Sequence, residues 1–392
     1  MAWNTFEIIL LCILLFCFIS RLLFHWIVMA KPYYYMQSEI SGEIQYHRSQ
    51  PPVSIIICIK SSNNDLYQFL SNILDQDYPE FEVIAVTDGI SDEDEEALIR
   101  LKNLYPNLYS THVPDDTRNV SRKKLALTLG IKAAKYDKLL FTEPDCMIRT
   151  NHWISLIAGQ FSDKKTIVLG FSAFENARNI FYKYMAYDYF VSNLQMISSA
   201  LFNHPYAGNG RNMAYSKEHF IEQKGFVKHR TLQHGEDDLF INDIATGENT
   251  AIELSAQSIT ITEINDSNDW KQWKADRMST QRFYKRGPVA FYRLEAFLHT
   301  VFYMVFVVCL IYSLLFTPQK NFVLPGIALF CLVGQLLSQG FIMNRTAERL
   351  QLGKFLLTIV LFDLFQPFID LYFFAYQVLK GKENYTYHYE KR

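Results

Sequence analysis

Residues 122–146 read RKKLALTLGIKAAKYDKLLFTEPDC, and this stretch decides the fold. Lys123 to Lys135 has the composition and spacing of a helix, and Lys138 to Thr142 is an apolar run of strand length. The strand stops on Glu143-Pro144-Asp145. In an open α/β sheet, ligands bind beyond the carboxyl ends of the strands. Two carboxylates two residues apart, with a rigid proline between them, can both reach one hard cation such as Mg²⁺ or Mn²⁺ there, and the cation would bridge diphosphate oxygens. Taken alone, such a triplet is more often a solvated acidic turn. The order of the other stations along the chain argues against that here.

Toward the N-terminus, Val53 to Ile59 (VSIIICI) is a β-branched run long enough for a buried strand. Leu66 to Leu74 has helical spacing, and Phe81 to Thr87 is a second strand closed by Asp88-Gly89. Asp92 to Tyr105 is a surface helix whose acidic first turn suits the helix dipole. Strand, helix, strand, helix, strand implies parallel pairing with right-handed crossovers. Asp88 is either an Asx-type turn residue or an acceptor for a nucleobase or ribose. Toward the C-terminus, Ile167 to Phe171 reads as a strand and Ile180 to Phe202 as a long aromatic helix. Gly208 to Asn212 is a turn that brings backbone close to a neighbour. Glu236-Asp237-Asp238 would suit the start of a helix over Leu239 to Ala245, or one of them would act as a general base on an acceptor hydroxyl. Lys123 and Lys124 are ordinary helix surface, or one of them reaches a phosphate.

The chain has 392 residues, 49% of them hydrophobic and 15% aromatic, with a formal net charge of −2. It is too apolar and aromatic to be disordered. The near-zero charge excludes the basic field that nucleic-acid binding needs. No P-loop or Gly-rich dinucleotide turn occurs, so ATPase and dehydrogenase chemistry lack their parts. The six cysteines form no disulfide framework and no zinc spacing, which favours a reducing, cytosol-facing interior. His112, His152, His204, His229 and His234 lack metal-ligand spacing and read as structural or surface residues.

About Gln50 to Ala290 reads as one α/β domain walled in by membrane segments. Phe6 to Met29 is long enough to cross a bilayer, and residues 1–31 form an N-terminal transmembrane helix. Arg21, His25 and Lys31 near its far end put that end, and the domain after it, in the cytoplasm. Residues 297–379 form a C-terminal membrane region of two to three helices, with Phe297 to Phe316 and Phe322 to Met343 as spans, and 380–392 is a charged tail. The last apolar run, Phe355 to Leu379, carries Asp363, Gln366, Pro367 and Asp370. If it spans, Lys380, Lys382, Lys391 and Arg392 fall outside, against the positive-inside tendency. A bent or interfacial segment with the tail inside fits that tendency better, although the sequence leaves both open. Trp270 to Arg293 mixes aromatic residues with Lys271, Lys274, Arg277, Arg282, Lys285 and Arg286, as segments drawn to anionic headgroups do.

Taken together, these stations resemble glycosyltransferase family 2, the inverting enzymes with a GT-A (Rossmann-like) fold, over roughly Pro52 to Tyr284, and the membrane arrangement is similar to that of polysaccharide synthases. PPVSIIICIKSSNN resembles the family's first strand and nucleotide-facing loop, QDYPEFEVIAVTDGISDE the segment ending in a base-binding Asp, RKKLALTLGIKAAKYDKLLFTEPDC the lysine helix and metal station, and GNGRNMAYSKEHF and HGEDDLF the acceptor loop and base motif. The resemblance implies a mostly parallel mixed sheet flanked by helices. It also implies an inverting enzyme of the inner membrane that transfers a sugar from a nucleotide-diphosphate donor, UDP-linked, to a lipid-linked or polysaccharide hydroxyl. On the same ground, Asp88, Lys123, Glu143, Asp145 and Arg277 bind donor. Glu143 and Asp145 hold Mg²⁺ or Mn²⁺, Asp237 beside Glu236 is the base, and Gly208, Gly210 and Asn212 face the acceptor. Two departures stand out. Thr87 sits where many members carry Asp, and Glu143 replaces the first Asp of the metal triplet; they motivate the alternative of a catalytically inactive subunit that binds nucleotide sugar or glycan. The Gln-x-x-Arg-Trp motif of processive synthases is also imperfect around Trp273 to Met278.

Overall fold

The computed structural model describes residues 3–41, 50–60, 65–114, 121–175, 179–264, 266–315, 322–355 and 358–380. In chain order come α1 (Thr5–Leu23) with a π-helical continuation (Phe24–Met29), α2 (Lys31–Ile40), β1 (Val53–Lys60), α3 (Leu66–Leu74), β2 (Phe81–Asp88), α4 (Asp92–Leu104), β3 (Leu108–His112), α5 (Arg122–Ala133) and β4 (Lys138–Thr142). Next are β5 (Cys146–Ile148), α6 (Trp153–Ala158), β6 (Ile167–Gly170), β7 (Ser172–Phe174), α7 (Ile180–Leu201), β8 (Met213–Ser216), α8 (Lys217–Glu222), α9 (Asp238–Ile244), β9 (Thr250–Glu253) and β10 (Thr260–Thr262). The chain ends in α10 (Ser267–Gln281), α11 (Arg286–Leu315), α12 (Val323–Arg349) and α13 (Thr358–Lys380). It divides into two compact units, residues 36–285 with 376–392, and residues 1–35 with 286–375.

The larger unit is built on a seven-stranded sheet of order β3-β2-β1-β4-β8-β6-β9. β1 pairs in parallel with β2 and β4, and β2 with β3, as the alternation of strands and helices predicts. The register aligns Lys60 with Asp88 and Ile57 with Thr142, so the carboxyl ends of β1, β2 and β4 open on one side. β8 is antiparallel to both β4 and β6, which makes the sheet mixed. Val53, Ile55, Ile57 and Ile59 of β1 are buried against Phe69, Leu70 and Ile73 of α3. On α5, Gly130 packs tightly on the sheet: a Cβ there would lie 2.7 Å from Ile56 Cγ2. A second sheet, β5-β10-β7, joins residues far apart in sequence, Thr260 facing both Ile148 and Ser172.

The stretch read as one interfacial segment, Trp270 to Arg293, is divided between two helices, α10 and α11, that belong to different units. Part of its polar character faces inward. Trp270 Nε1 donates to Asp188 Oδ2 at 2.9 Å and Lys274 Nζ to Asp188 Oδ1 at 2.6 Å, and all three side chains are buried. A lysine so committed is withdrawn from any headgroup.

The smaller unit is helical. Four helices among the described residues are long and apolar enough to cross a membrane: Thr5–Ile40, Arg286–Leu315, Val323–Arg349 and Thr358–Tyr376. Leu10, Leu14, Phe302, Leu324 and Ala328 form its apolar core. The ambiguous last run is one helix, α13, with Pro367 inside it. Its Asp363 is buried, paired with Arg21 of α1 at 3.2 Å, accepting from Tyr303 of α11 at 2.6 Å and from Gln335 of α12 at 3.3 Å. Arg21 also pairs with Glu295 at 2.6 Å. The charged tail beyond residue 380 lies outside the described residues.

Candidate active site

Three strand ends and two helix starts build one cavity of about 520 Å³. Its lining includes Cys58 and Lys60 of β1, Asp88 of β2, Arg122 and Lys123 of α5, Glu143 and Asp145 after β4, Gly210, His234, Glu236 and Asp237. Asp88, Lys123, Glu143, Asp145, Glu236 and Asp237, scattered over some 150 positions, therefore share one crevice. Asp88 closes β2 and is gripped by the first residue of α5: Arg122 Nε donates to its Oδ1 at 2.5 Å.

Lys123 is the hub. Its Nζ lies 2.6 Å from Glu143 Oε1 and 3.0 Å from Glu236 Oε1. Burial would lower its pKa, but Glu143, Glu236 and Asp237 raise it well above the usual lysine value. Burial alone would raise the Glu143 pKa. Lys123 and Arg211 instead hold it down to about 2, so this carboxylate is ionised across the working range. Glu236 is likewise pulled down by Lys123, and its Oε2 is buried without a hydrogen-bond partner. Arg211 completes the set, with Nη2 2.7 Å from Asp145 Oδ2 and Nε 3.2 Å from Glu143 Oε2.

Asp237 caps α9: its Oδ1 accepts from Asp238 N at 2.7 Å and its Oδ2 from Gly210 N at 3.0 Å. The cap contacts fix the carboxylate while leaving it on the cavity wall. The loop before it is pinned by Lys124, which is buried and donates at 2.8 Å to each of the carbonyls of His229, Leu232 and His234. Of the two adjacent lysines, one enters the cavity and the other holds the loop that carries the acids.

Three predicted positions lie elsewhere. Asn212 is fully buried and does not line the cavity; its Nδ2 donates to Phe171 O and Ser258 O at 2.8 Å, and its Oδ1 accepts from Trp153 Nε1 at 3.2 Å. It fixes the turn rather than facing a ligand. Gly208 is buried as well: a Cβ there would meet Ile241 Cγ1 at 2.6 Å, so its smallness lets α9 pack against the turn. Arg277 also stands outside the cavity lining, beside Tyr206, Tyr284 and Asp238. Burial would lower its pKa, but these groups raise it.

Sequence reading missed Arg122, Arg211 and His234. The first two sit inside quoted motifs, but no acid neighbours either of them in the sequence, so only the folded contacts reveal them. Cys58 also lines the cavity, yet burial pushes its thiol up to about 12, which removes it as a nucleophile.

The two carboxylates of Glu143 and Asp145 suit Mg²⁺ or Mn²⁺ in kind, since such ions commonly take one or two carboxylates and complete their shell with water and phosphate oxygens. Among the described residues no group of three or more His, Cys, Asp and Glu side chains would hold a metal unaided.

Residues 54–224 match the family model described as Glycosyl transferase family 2. The chain carries a glycosyltransferase family 2 domain. The match ends at Lys224, short of Glu236 and Asp237. The structure of a mannosyltransferase from Pyrobaculum calidifontis, solved with GDP-Man and Mn²⁺, is similar at TM-score 0.50 and 16% identity, covering 86% of this chain and 99% of that one. The S. aureus TarS 1–349 structure with UDP-GlcNAc aligns at TM-score 0.41 and 14% identity, covering 79% of this chain and 90% of that one. No curated protein sequence matches the chain. The glycosyltransferase domain thus has the GT-A-like fold, a mostly parallel mixed sheet flanked by helices, in a chain with apolar helices at both ends.

Proposed function

We propose that this chain is a membrane-embedded inverting glycosyltransferase, taking a hexose from a nucleotide-diphosphate donor, UDP-linked, and giving it to a hydroxyl of a lipid-linked or polysaccharide acceptor. The observation that carries the reading is that Asp88, Lys123, Glu143, Asp145 and Asp237 line one cavity. The ligands of the P. calidifontis structure, a nucleotide sugar and Mn²⁺, agree with that class of donor. The basic residues at the far end of α1 favour a cytoplasmic domain and the cell membrane as the location.

In this reading Asp88, held by Arg122, takes the donor's base or ribose. Glu143 and Asp145 would hold Mg²⁺ or Mn²⁺ together with donor oxygens, and that ion would neutralise charge on the diphosphate. Lys123 adds a fixed positive charge beside it. Asp237 accepts the proton of the acceptor hydroxyl. The freed oxygen pair forms the bond to the anomeric carbon as the bond to the β-phosphate oxygen breaks, and the nucleoside diphosphate leaves with that electron pair. A single in-line displacement inverts the anomeric centre.

The test is nucleotide release by the purified protein from a panel of sugar nucleotides with Mg²⁺ or Mn²⁺. Asp237→Asn should lower kcat by about 10²–10⁴, the usual worth of a positioned general base, with donor affinity nearly intact. Unchanged turnover would remove Asp237 from the base role. Donor binding with no hydrolysis or transfer in the unmodified protein would transfer the assignment to the inactive binding subunit.

A further inference from the structure

The acids assigned to the metal are already engaged. From Asp145 through Arg211, Glu143 and Lys123 to Glu236, charge alternates without a gap, with contacts of 2.7, 3.2, 2.6 and 3.0 Å. Arg211 is not a loose surface side chain. It is 16% exposed, its guanidinium lies 5.8 Å from the Phe174 ring centre, and its turn is anchored on both sides. Arg211 N donates to Asn209 Oδ1 at 3.1 Å, Asn209 Nδ2 donates to Tyr189 OH at 2.6 Å, and Asn212 is fixed as described above. A guanidinium keeps its charge at any working pH.

A divalent cation needs the same carboxylate oxygens that Arg211 now contacts. Arriving alone, it must displace the guanidinium and leave a buried cation without its partner, which is costly. A diphosphate changes the balance. Its oxygens match the planar fork of arginine and offer the displaced group a new anion of higher charge. Building on the donor assignment above, we propose that Arg211 is a placeholder cation. It keeps Glu143 and Asp145 closed to metal until a nucleoside diphosphate arrives, then passes from carboxylate to phosphate, so that metal and donor bind as a coupled pair. The order excludes a site charged with free metal, and it makes the metal's affinity a report on the donor. Coupling of this kind is reciprocal, so the metal tightens the nucleotide by the same factor.

Mn²⁺ binding to the full-length protein in detergent, read by electron paramagnetic resonance with and without UDP, tests this, with GDP in a parallel arm. Wild type should bind Mn²⁺ weakly alone and about tenfold or more tightly with UDP, within the 5–150-fold range common for coupled ligands. Arg211→Gln should bind Mn²⁺ about tenfold more tightly without nucleotide, and UDP should then add little. Arg211→Lys, which keeps the charge without the fork, should return toward the wild-type pattern. An Arg211→Gln protein with wild-type thermal stability and an unchanged or weaker affinity for Mn²⁺ alone overturns the placeholder role while the donor assignment stands. Wild-type protein that binds neither UDP nor GDP, with or without Mn²⁺, overturns the donor assignment itself.

Discussion

Asp238 is the residue next to the proposed base and cannot share its task. It is buried, and its carboxylate receives the hydroxyls of Thr280 and Tyr284, both on the segment of α10 and its C-terminal end. Burial and then the charge of Asp237 push its pKa up to about 6, against the opposing pull of Arg277 and the two hydroxyls. The folded protein therefore holds a proton there that the unfolded chain, near the ordinary aspartate value, releases. Between about pH 4 and 6 the folded state binds more protons, so this group's contribution to stability falls as pH rises through that window. Asp238→Asn should flatten that slope, with the melting temperature falling less between pH 4 and 6.5 than in wild type. Parallel slopes would show that Asp238 does not titrate there. On paper Glu236, Asp237 and Asp238 are three similar acids. What separates them is that α9 begins at Asp238, turning one side chain to the cavity and the next into the core.

At the scale of elements, buried Arg21 and Asp363 and half-buried Glu295 join α1, α11 and α13 within the helical unit. Removing one partner strands the others: Arg21→Met should cost about 3–5 kcal/mol, read as a loss of thermal stability of the purified protein. Adding Asp363→Asn and Glu295→Gln should recover part of it, because neutral partners no longer need a counter-charge. No recovery would mean that the arginine acts through its packing alone. These pairings were not legible in the sequence, since nothing in a linear reading links position 21 to 363. The elements that were legible share one property, a continuous or strictly periodic apolar run: β1, β2, β4, α3, α4, α5 and α7 fall within a residue or two of their expected bounds. The three-residue strands β5, β7 and β10 were missed because their only reason to be strands is one another. The same rule sorts the cavity. The acids at strand ends could be anticipated from the alternation, whereas Arg122 and Arg211 earn their places through contacts over 34 and 66 positions.

For the molecule as a whole, the open matter is which side of the membrane the C-terminus meets. α13 has 23 residues, about 34 Å at 1.5 Å per residue, enough for a hydrocarbon core of roughly 30 Å. Its Asp363 lies five residues into the helix and is held by Arg21, near the end of the first span that the proposed topology puts in the cytoplasm. An α13 that starts at that level and runs its full length must emerge on the opposite face. Lys380 and the basic residues after it argue the other way, but the first span usually dominates topology, and a carboxylate buried against its arginine is a stronger local constraint than a short tail. An alkaline phosphatase fused after Arg392 should therefore be active outside, and one fused after Leu352, between α12 and α13, should be silent. A C-terminal reporter that reads as cytoplasmic would mean that α13 lies along or re-enters the bilayer, and the bundle would then have three crossings instead of four.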